Sequence, residues 1–310
     1  LGIFLIVWFC GASYPEYEKI SRSETEIPGL DEGISPQGVC PLPENEGGYT
    51  LAMSGYMVKG GASRVYLFGG ETNKYITLEK DGKALTTHFG GITCSGNYLL
   101  VASGKQMVRI PLSAALNAKD GDSVAITDSF STDINNAYCY YYGDKLYVGE
   151  FYRESNYKTQ ESHHITKDGE TNYAFIYEYD ADESAAGGVV STTPAKAISV
   201  RGLVQGVAVC EDGIVLSTSY GLADSHIYVY ENILGGETED RASVGDAEVP
   251  LYRLDSTNLK KDLTAPCMSE EICIADGKLY ILYESACNKY KYFVRVRTYY
   301  VDVISLEELL

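Results

Sequence analysis

Val204–Tyr220 reads VQGVAVCEDGIVLSTSY. Gln205-Gly206 leads into a short apolar run, Glu211-Asp212-Gly213 reverses the chain, and a second apolar run ends in the hydroxyls of Ser217, Thr218 and Ser219. Two such runs about an acidic Gly turn signal a β-hairpin. The pattern recurs at Ser35–Cys40 with Tyr49–Ser54, at His88–Cys94 with Tyr98–Ala102, at Asn136–Cys139 with Lys145–Gly149, and at Glu270–Cys273 with Lys278–Tyr283. Further apolar runs complete each copy: Arg64–Phe68 and Tyr75–Glu79, Met107–Ile110 and Val124–Thr127, Tyr173–Tyr179 and Lys196–Val200, His226–Tyr230 and Pro250–Leu254, and last Arg295–Ser305 alone.

With Gly38, Gly91, Ala137, Gly206 and Glu271 taken as equivalent, the repeats are spaced by 53, 46, 69 and 65 residues. A four-stranded meander of that length cannot bury both faces alone, and radial stacking of such units is the β-propeller solution. The expected fold is all-β: a five-bladed β-propeller of four-stranded antiparallel blades, covering 35–80, 88–128, 135–200, 204–255 and 268–310 of a single domain, 14–310. The fifth copy lacks a fourth strand, so the polar segment 17–24 is expected to supply it and close the ring. VRIPLSAAL (Val108–Leu116) echoes VDVISLEEL (Val301–Leu309), each a strand predicted to run into a short helical turn.

The chain of 310 residues carries 43 acidic against 25 basic residues, a formal charge of −18. No Lys/Arg cluster is read against that surplus, which excludes nucleic acid and argues against an anionic membrane surface as partners. Tyr occurs 27 times and Trp once, a usage that suits half-buried strands first and a sugar-stacking surface second.

The chain opens LGIFLIVWFCGAS, and 1–13 reads as an export signal remnant or membrane anchor. It is too short to span a bilayer as it stands. An extracellular or cell-envelope location follows as an expectation, with membrane contact only through this N-terminal anchor; lipid on Cys10 is the weaker variant, because Trp8-Phe9 are bulky. Cys40, Cys94, Cys139, Cys210 and Cys273 fall in apolar runs and are expected to be free core thiols, leaving Cys267 and Cys287 as the pair to test for a bridge. A monomer is expected.

Pro36–Val39 (PQGV), His88–Ile92 (HFGGI), Gln205–Val209 (QGVAV), Met268–Ile272 (MSEEI) and Leu282–Ala286 (LYESA) together resemble exported bacterial β-propeller proteins of largely uncharacterised function. The resemblance covers nearly the whole chain after the leader. It implies a propeller and no particular reaction.

In a blade the innermost strand runs away from the face on which it starts and the second strand returns to it. Lead-ins to strand one and exits from strand two therefore share a face around the central channel. These positions hold Gln37, His88, Asn136, Gln205, Glu270 and Glu271 from the lead-ins, and Tyr56, Glu150, Tyr152, Tyr220 and Glu284 from the exits. Polar groups converging on one mouth are what a ligand site requires. Gln37, Tyr56, His88, Asn136, Tyr152, Gln205, Tyr220 and Glu270 are read as ligand-binding, the ligand being a small molecule, a glycan or a peptide. The alternative is a hydrolase in which Glu150 works with Glu271 or Glu284, and His88 as base: glycosidase-like through paired carboxyls, or lactonase-like through a hard cation. No cofactor is otherwise called for, and calcium is the ion such oxygen ligands would take. A protein-binding scaffold is the third possibility. His163-His164 sit in the long insertion 151–172 without metal-spaced partners.

Overall fold

The computed structural model describes residues 12–310; residues 1–11, with Cys10 and most of the expected export segment, lie outside the described residues. β-strands dominate the rest. Three short α-helices interrupt them, Pro15–Ile20, Leu112–Asn117 and Leu306–Leu309, along with three 3-10 turns, the last two α-helices ending the echoed VRIPLSAAL and VDVISLEEL segments.

In the first repeat Ile34–Pro41, Leu51–Met57, Arg64–Phe68 and Lys74–Lys80 pair antiparallel in that order. Val204–Cys210, Gly213–Thr218, Ser225–Tyr230 and Leu259–Ala265 do the same in the fourth. Burial follows position in the meander. Gly213–Thr218 is buried throughout, whereas Lys74–Lys80 alternates buried and half-buried along its length, as a strand with one covered face does. In the third repeat the end of Asp128–Tyr142 pairs with Lys145–Glu150, followed by Ala174–Asp180 and Lys196–Val200. The fifth holds Ser269–Ala275, Lys278–Tyr283 and Tyr300–Ser305, and its outer edge is taken by Ser21–Glu26 from the other end of the chain.

The innermost strands of the five repeats pack against one another in cyclic order: Ile34–Pro41 on Phe89–Ser95, then Asp128–Tyr142, Val204–Cys210, Ser269–Ala275, and back to Ile34–Pro41. All five carry a register break at the same level, between Pro36 and Gly38, Phe89 and Ile92, Asn136 and Tyr138, Val204 and Gly206, and Ser269 and Ile272. A β-bulge sets two residues against one and re-aims the extra side chain. The unpaired residues are Gln37, Gly90 and Gly91, Ala137, Gln205, and Glu270 and Glu271, at or immediately before the positions taken as equivalent from the sequence.

Several strands differ from expectation. The segment expected as a strand over 17–24 is split: Pro15 at the first helical position and Glu16 and Glu18 in the first turn favour the helix Pro15–Ile20, and the strand begins at Ser21. Tyr98–Ala102 and Met107–Ile110 form one continuous strand, Tyr98–Pro111, whose second half pairs with Asp128–Ser131 and so joins repeats two and three in one eight-stranded sheet. Val124–Thr127, expected in the second repeat, falls elsewhere: Ser123–Ala125 lies parallel to Lys74–Lys80 of the first. Lys74 holds it there, its Nζ donating to the carbonyls of Leu116 and Ala118 at 2.6 Å each.

Pro250–Leu254 likewise leaves its own repeat. Ala247–Arg253, stiffened by a hairpin with Arg241–Val244, runs parallel to Lys196–Val200 of the third, and Leu259–Ala265 takes the outer position in the fourth. Arg295–Tyr299 is loop, because successive turns from Glu284 to Val294 use that chain before the strand starts at Tyr300. The seven cysteines among the described residues are free, Cys267 and Cys287 included, so no bridge forms between that pair.

Candidate functional site

Glu271 sits where the inner strands converge. Its Oε2 accepts the backbone N–H groups of Val39 and Ile92, both at 2.9 Å, and its Oε1 accepts that of Cys139 at 2.8 Å. One fully buried carboxylate from the fifth repeat thus joins the first three. The room comes from the small residues at the matching positions. A Cβ on Gly91 would lie 2.4 Å from Glu271 Oε1, and one on Gly206 would lie 2.8 Å from Glu271 Cα. Burial raises the Glu271 pKa well above the ordinary carboxylate range, and the three amides pull against it. With both oxygens committed to backbone, Glu271 is a clamp on the axis.

Glu270 turns the other way, to the face expected to carry the site. There the bulge residues meet the exits of the second strands. Glu284 Oε2 accepts Ser35 Oγ at 2.6 Å and Gln37 Nε2 at 3.2 Å, and Gln37 Oε1 meets His88 Nε2 at 2.5 Å. Gln205 reaches Glu270 Oε1 at 3.4 Å. Tyr56 lies against the His88 ring with centroids 4.2 Å apart, and its hydroxyl accepts Lys289 Nζ at 2.7 Å. Six of the expected residues therefore form one chain of contacts: Gln37, Tyr56, His88, Gln205, Glu270 and Glu284.

The titration states follow from that packing. Burial, then the facing Glu284, drives the Glu270 pKa well up, so Glu270 keeps a proton and donates it to Glu284. Burial also raises Glu284, against hydrogen bonds from Ser35, Glu270 and Gln37. His88 keeps an exposed rim, but the protein around its ring and the Lys289 ammonium lower its pKa to about 4, so the imidazole is neutral at pH 7. Burial works to lower Lys289; the Tyr290 and Tyr56 hydroxyls outweigh it and its pKa rises.

The remaining expected residues lie apart from this group, around the third repeat. Glu150 is buried, its Oε1 bonded to His163 Nδ1 at 2.5 Å and to the Phe175 N–H at 2.9 Å. His163 reaches it from the insertion 151–172 and stacks on Phe175 with centroids 4.3 Å apart. Asn136, paired opposite Glu150, accepts Thr132 Oγ1 at 2.7 Å, while its Nδ2 and the Tyr138 hydroxyl are buried without a partner. A cavity of about 280 Å³ opens beside them, lined by Lys105, Asp133, Asn135, Glu150, Tyr157 and Gln160 among others. Phe151 of that lining stacks on Tyr220, which lies under the Arg153 guanidinium at 3.8 Å, while Tyr152 stacks on Tyr173 at 4.7 Å. A larger cavity, about 650 Å³, lies at the opposite ends of the inner strands between Pro41–Tyr49 and Asp276–Tyr280, and touches none of the expected residues.

Three participants escape the sequence pattern. Ser35 shares a strand face with Gln37, two residues away, and that alternation is the signal that finds it. Lys289 and His163 arrive on long loops, where no periodicity marks them. The basic loop is the other omission: Asn288–Tyr300 holds Lys289, Lys291, Arg295 and Arg297 with no acidic residue, so a Lys/Arg cluster does exist. Among the described residues no group of three or more His, Cys, Asp or Glu side chains is spaced to hold a metal ion, and no helix is long and apolar enough to cross a membrane.

No family model and no curated protein matches the chain. Among solved structures it is similar to a glutaminyl cyclase of Myxococcus xanthus, at 7% identity and TM-score 0.46 over 92% of this chain and 94% of that one. A putative oxidoreductase (glucose dehydrogenase) of Thermus thermophilus gives 13% identity and TM-score 0.46 over 92% and 98%. The WD40 β-propeller domain of Doa1 gives 9% and 0.41 over 92% and 97%. At these scores no activity carries over, and the description of the fold rests on its own strand pairing.

Proposed function

We propose that the chain is a five-bladed β-propeller, closed by Ser21–Glu26, that binds a small polar molecule, a glycan or a short peptide at the mouth above Glu271. The cyclic packing of five inner strands, each bulged at one level, supports the blade count. The observation that carries the binding role is the connected polar group of Gln37, Tyr56, His88, Gln205, Glu270 and Glu284, drawn from four of the five repeats. The Lys289 ammonium keeps donors beyond the one given to Tyr56, and neutral His88, whose Nε2–H is given to Gln37 Oε1, leaves Nδ1 as an acceptor beside those of Gln37 and Glu284, so the cluster can orient a ligand rich in hydroxyl or amide groups.

Titration calorimetry with a panel of neutral oligosaccharides, short peptides and Ca²⁺ tests this. A hit is expected that is lost in H88A and in Q37A with the melting temperature kept. Binding that survives both substitutions would sink the site.

Hydrolysis is the second reading, and the carboxyl pair Glu270 and Glu284 favours it over any pair containing Glu271. One member of that pair is protonated and the other accepts its proton, the division of labour that acid–base hydrolysis needs. Glu271 has no free oxygen for such work. Glu150 belongs with His163 and the adjoining cavity, under the insertion that we assign as a flap.

A further inference from the structure

The acidic surplus is not evenly spread. Nine large apolar side chains are exposed among the described residues, and four of them, Tyr292 (74%), Phe293 (60%), Tyr299 (45%) and Tyr300 (44%), fall within nine residues of the basic loop. Arg295 of that loop pairs with Asp224 at 3.3 Å, which brings in the neighbouring turn with exposed Leu222. Asp224 also accepts the Tyr14 hydroxyl at 2.8 Å. Tyr14 is the third described residue, so the chain that begins LGIFLIVWF enters the fold at this rim.

We propose that this rim, Asn288–Tyr300 with Leu222, is a docking surface for an anionic lipid bilayer, met beside the point where the N-terminal apolar run joins the domain. The proposal rests on the envelope location expected from that run and is independent of the ligand bound at the mouth. Exposed aromatic side chains next to Lys and Arg are the composition that settles at the bilayer interface. Each cation close to an anionic surface adds about 1 kcal/mol, and a tether raises the local concentration to the mM range, so a modest patch suffices. Screening confines the effect of the remaining acidic surplus to about 10 Å; within that distance Asp31 and Asp224 pair with Lys291 and Arg295, and Lys289 and Arg297 leave the loop with a net positive charge. Lys291 is bonded to Asp31 and Arg297 to the Lys291 carbonyl, which ties the loop on both sides of exposed Tyr292 and Phe293.

Amide hydrogen exchange on the full chain decides the matter, measured alone, with phosphatidylcholine vesicles, and with vesicles of about seven parts phosphatidylcholine to three parts phosphatidylglycerol. On the anionic vesicles 288–300 should exchange about fivefold more slowly than in the chain alone, and less so on phosphatidylcholine. Y292S/F293S and K291E/R297E should exchange there at the unprotected rate, whether or not 1–11 anchors them to the vesicle. A loop rate that vesicles leave unchanged, or one equally slowed in both variants, overturns the proposal. None of these four residues belongs to the mouth cluster, so ligand binding at Gln37 and Glu284 stands or falls separately.

Discussion

Glu270 and Glu271 are adjacent in sequence and do opposite things, because the bulge between Ser269 and Ile272 aims one carboxyl at the mouth and the other at the axis. Their repeat position marks both as candidates in the sequence. Which is which depends on three backbone N–H groups more than 130 residues away, and no local pattern carries that. The two predict different phenotypes. E271Q replaces one acceptor oxygen with an NH₂ group facing a backbone donor, orphaning at least one buried N–H, and should cost about 1–3 kcal/mol of stability. Chemical denaturation measures it. At His88 the imidazole should titrate near pH 4 in NMR, and K289A should move that value upward, since the Lys289 charge contributes to the depression. A ring titrating near 6.5 in the native protein would mean that neither the packing around His88 nor Lys289 depresses it.

At the scale of elements, the meanders are legible because hairpins leave short-range marks: alternation, acidic Gly turns, and a repeat length that fits four strands. Destinations of the long connections are not. Ser123–Ala125 and Ala247–Arg253 have ordinary strand composition, and only the Lys74 contacts and the hairpin with Arg241–Val244 direct them back to the preceding repeat. The N-terminal strand is held by side chains as well as by its ladder. Tyr17 donates to Asp302 at 2.9 Å and receives the Tyr283 hydroxyl at 2.8 Å, and Ser23 donates to Asp302 at 2.8 Å. Deleting 14–30 should therefore lower the melting temperature by more than about 5 °C, and D302A should reproduce part of that loss. An unchanged melting temperature in the deletion would mean that the fifth repeat is stable without its outer strand.

For the whole molecule, the recurring hairpins foretold an all-β chain, and part of the abundance of Tyr is structural: Tyr17, Tyr66, Tyr138, Tyr177, Tyr179, Tyr230 and Tyr283 are among the largest fully buried side chains. Net charge hid the one basic loop, because a sum over 310 residues averages away thirteen. Stability should also depend on pH in a definite direction. Glu270, Glu284 and Asp302 all have raised pKa values in the folded state, so between the unfolded value, 4.5 for Glu270, and the higher folded one the native protein binds more protons. Stability is then lost as pH rises through that window. Wild type should melt lower at pH 8 than at pH 5, and E270Q should flatten the difference; an unaltered slope in E270Q would mean that Glu270 ionises normally.

The central claim is a division between an axial clamp at Glu271 and a ligand-binding layer above it at Gln37, His88, Glu270 and Glu284. Thermal unfolding of E271Q beside H88A, each with and without the ligand identified from the panel, tests that division directly. E271Q should melt several degrees below wild type, by about 2 °C or more per kcal/mol lost, and still be stabilised by ligand; H88A should melt like wild type and gain nothing from it. The reverse pattern, an E271Q that melts normally but no longer responds to ligand, would contradict the account.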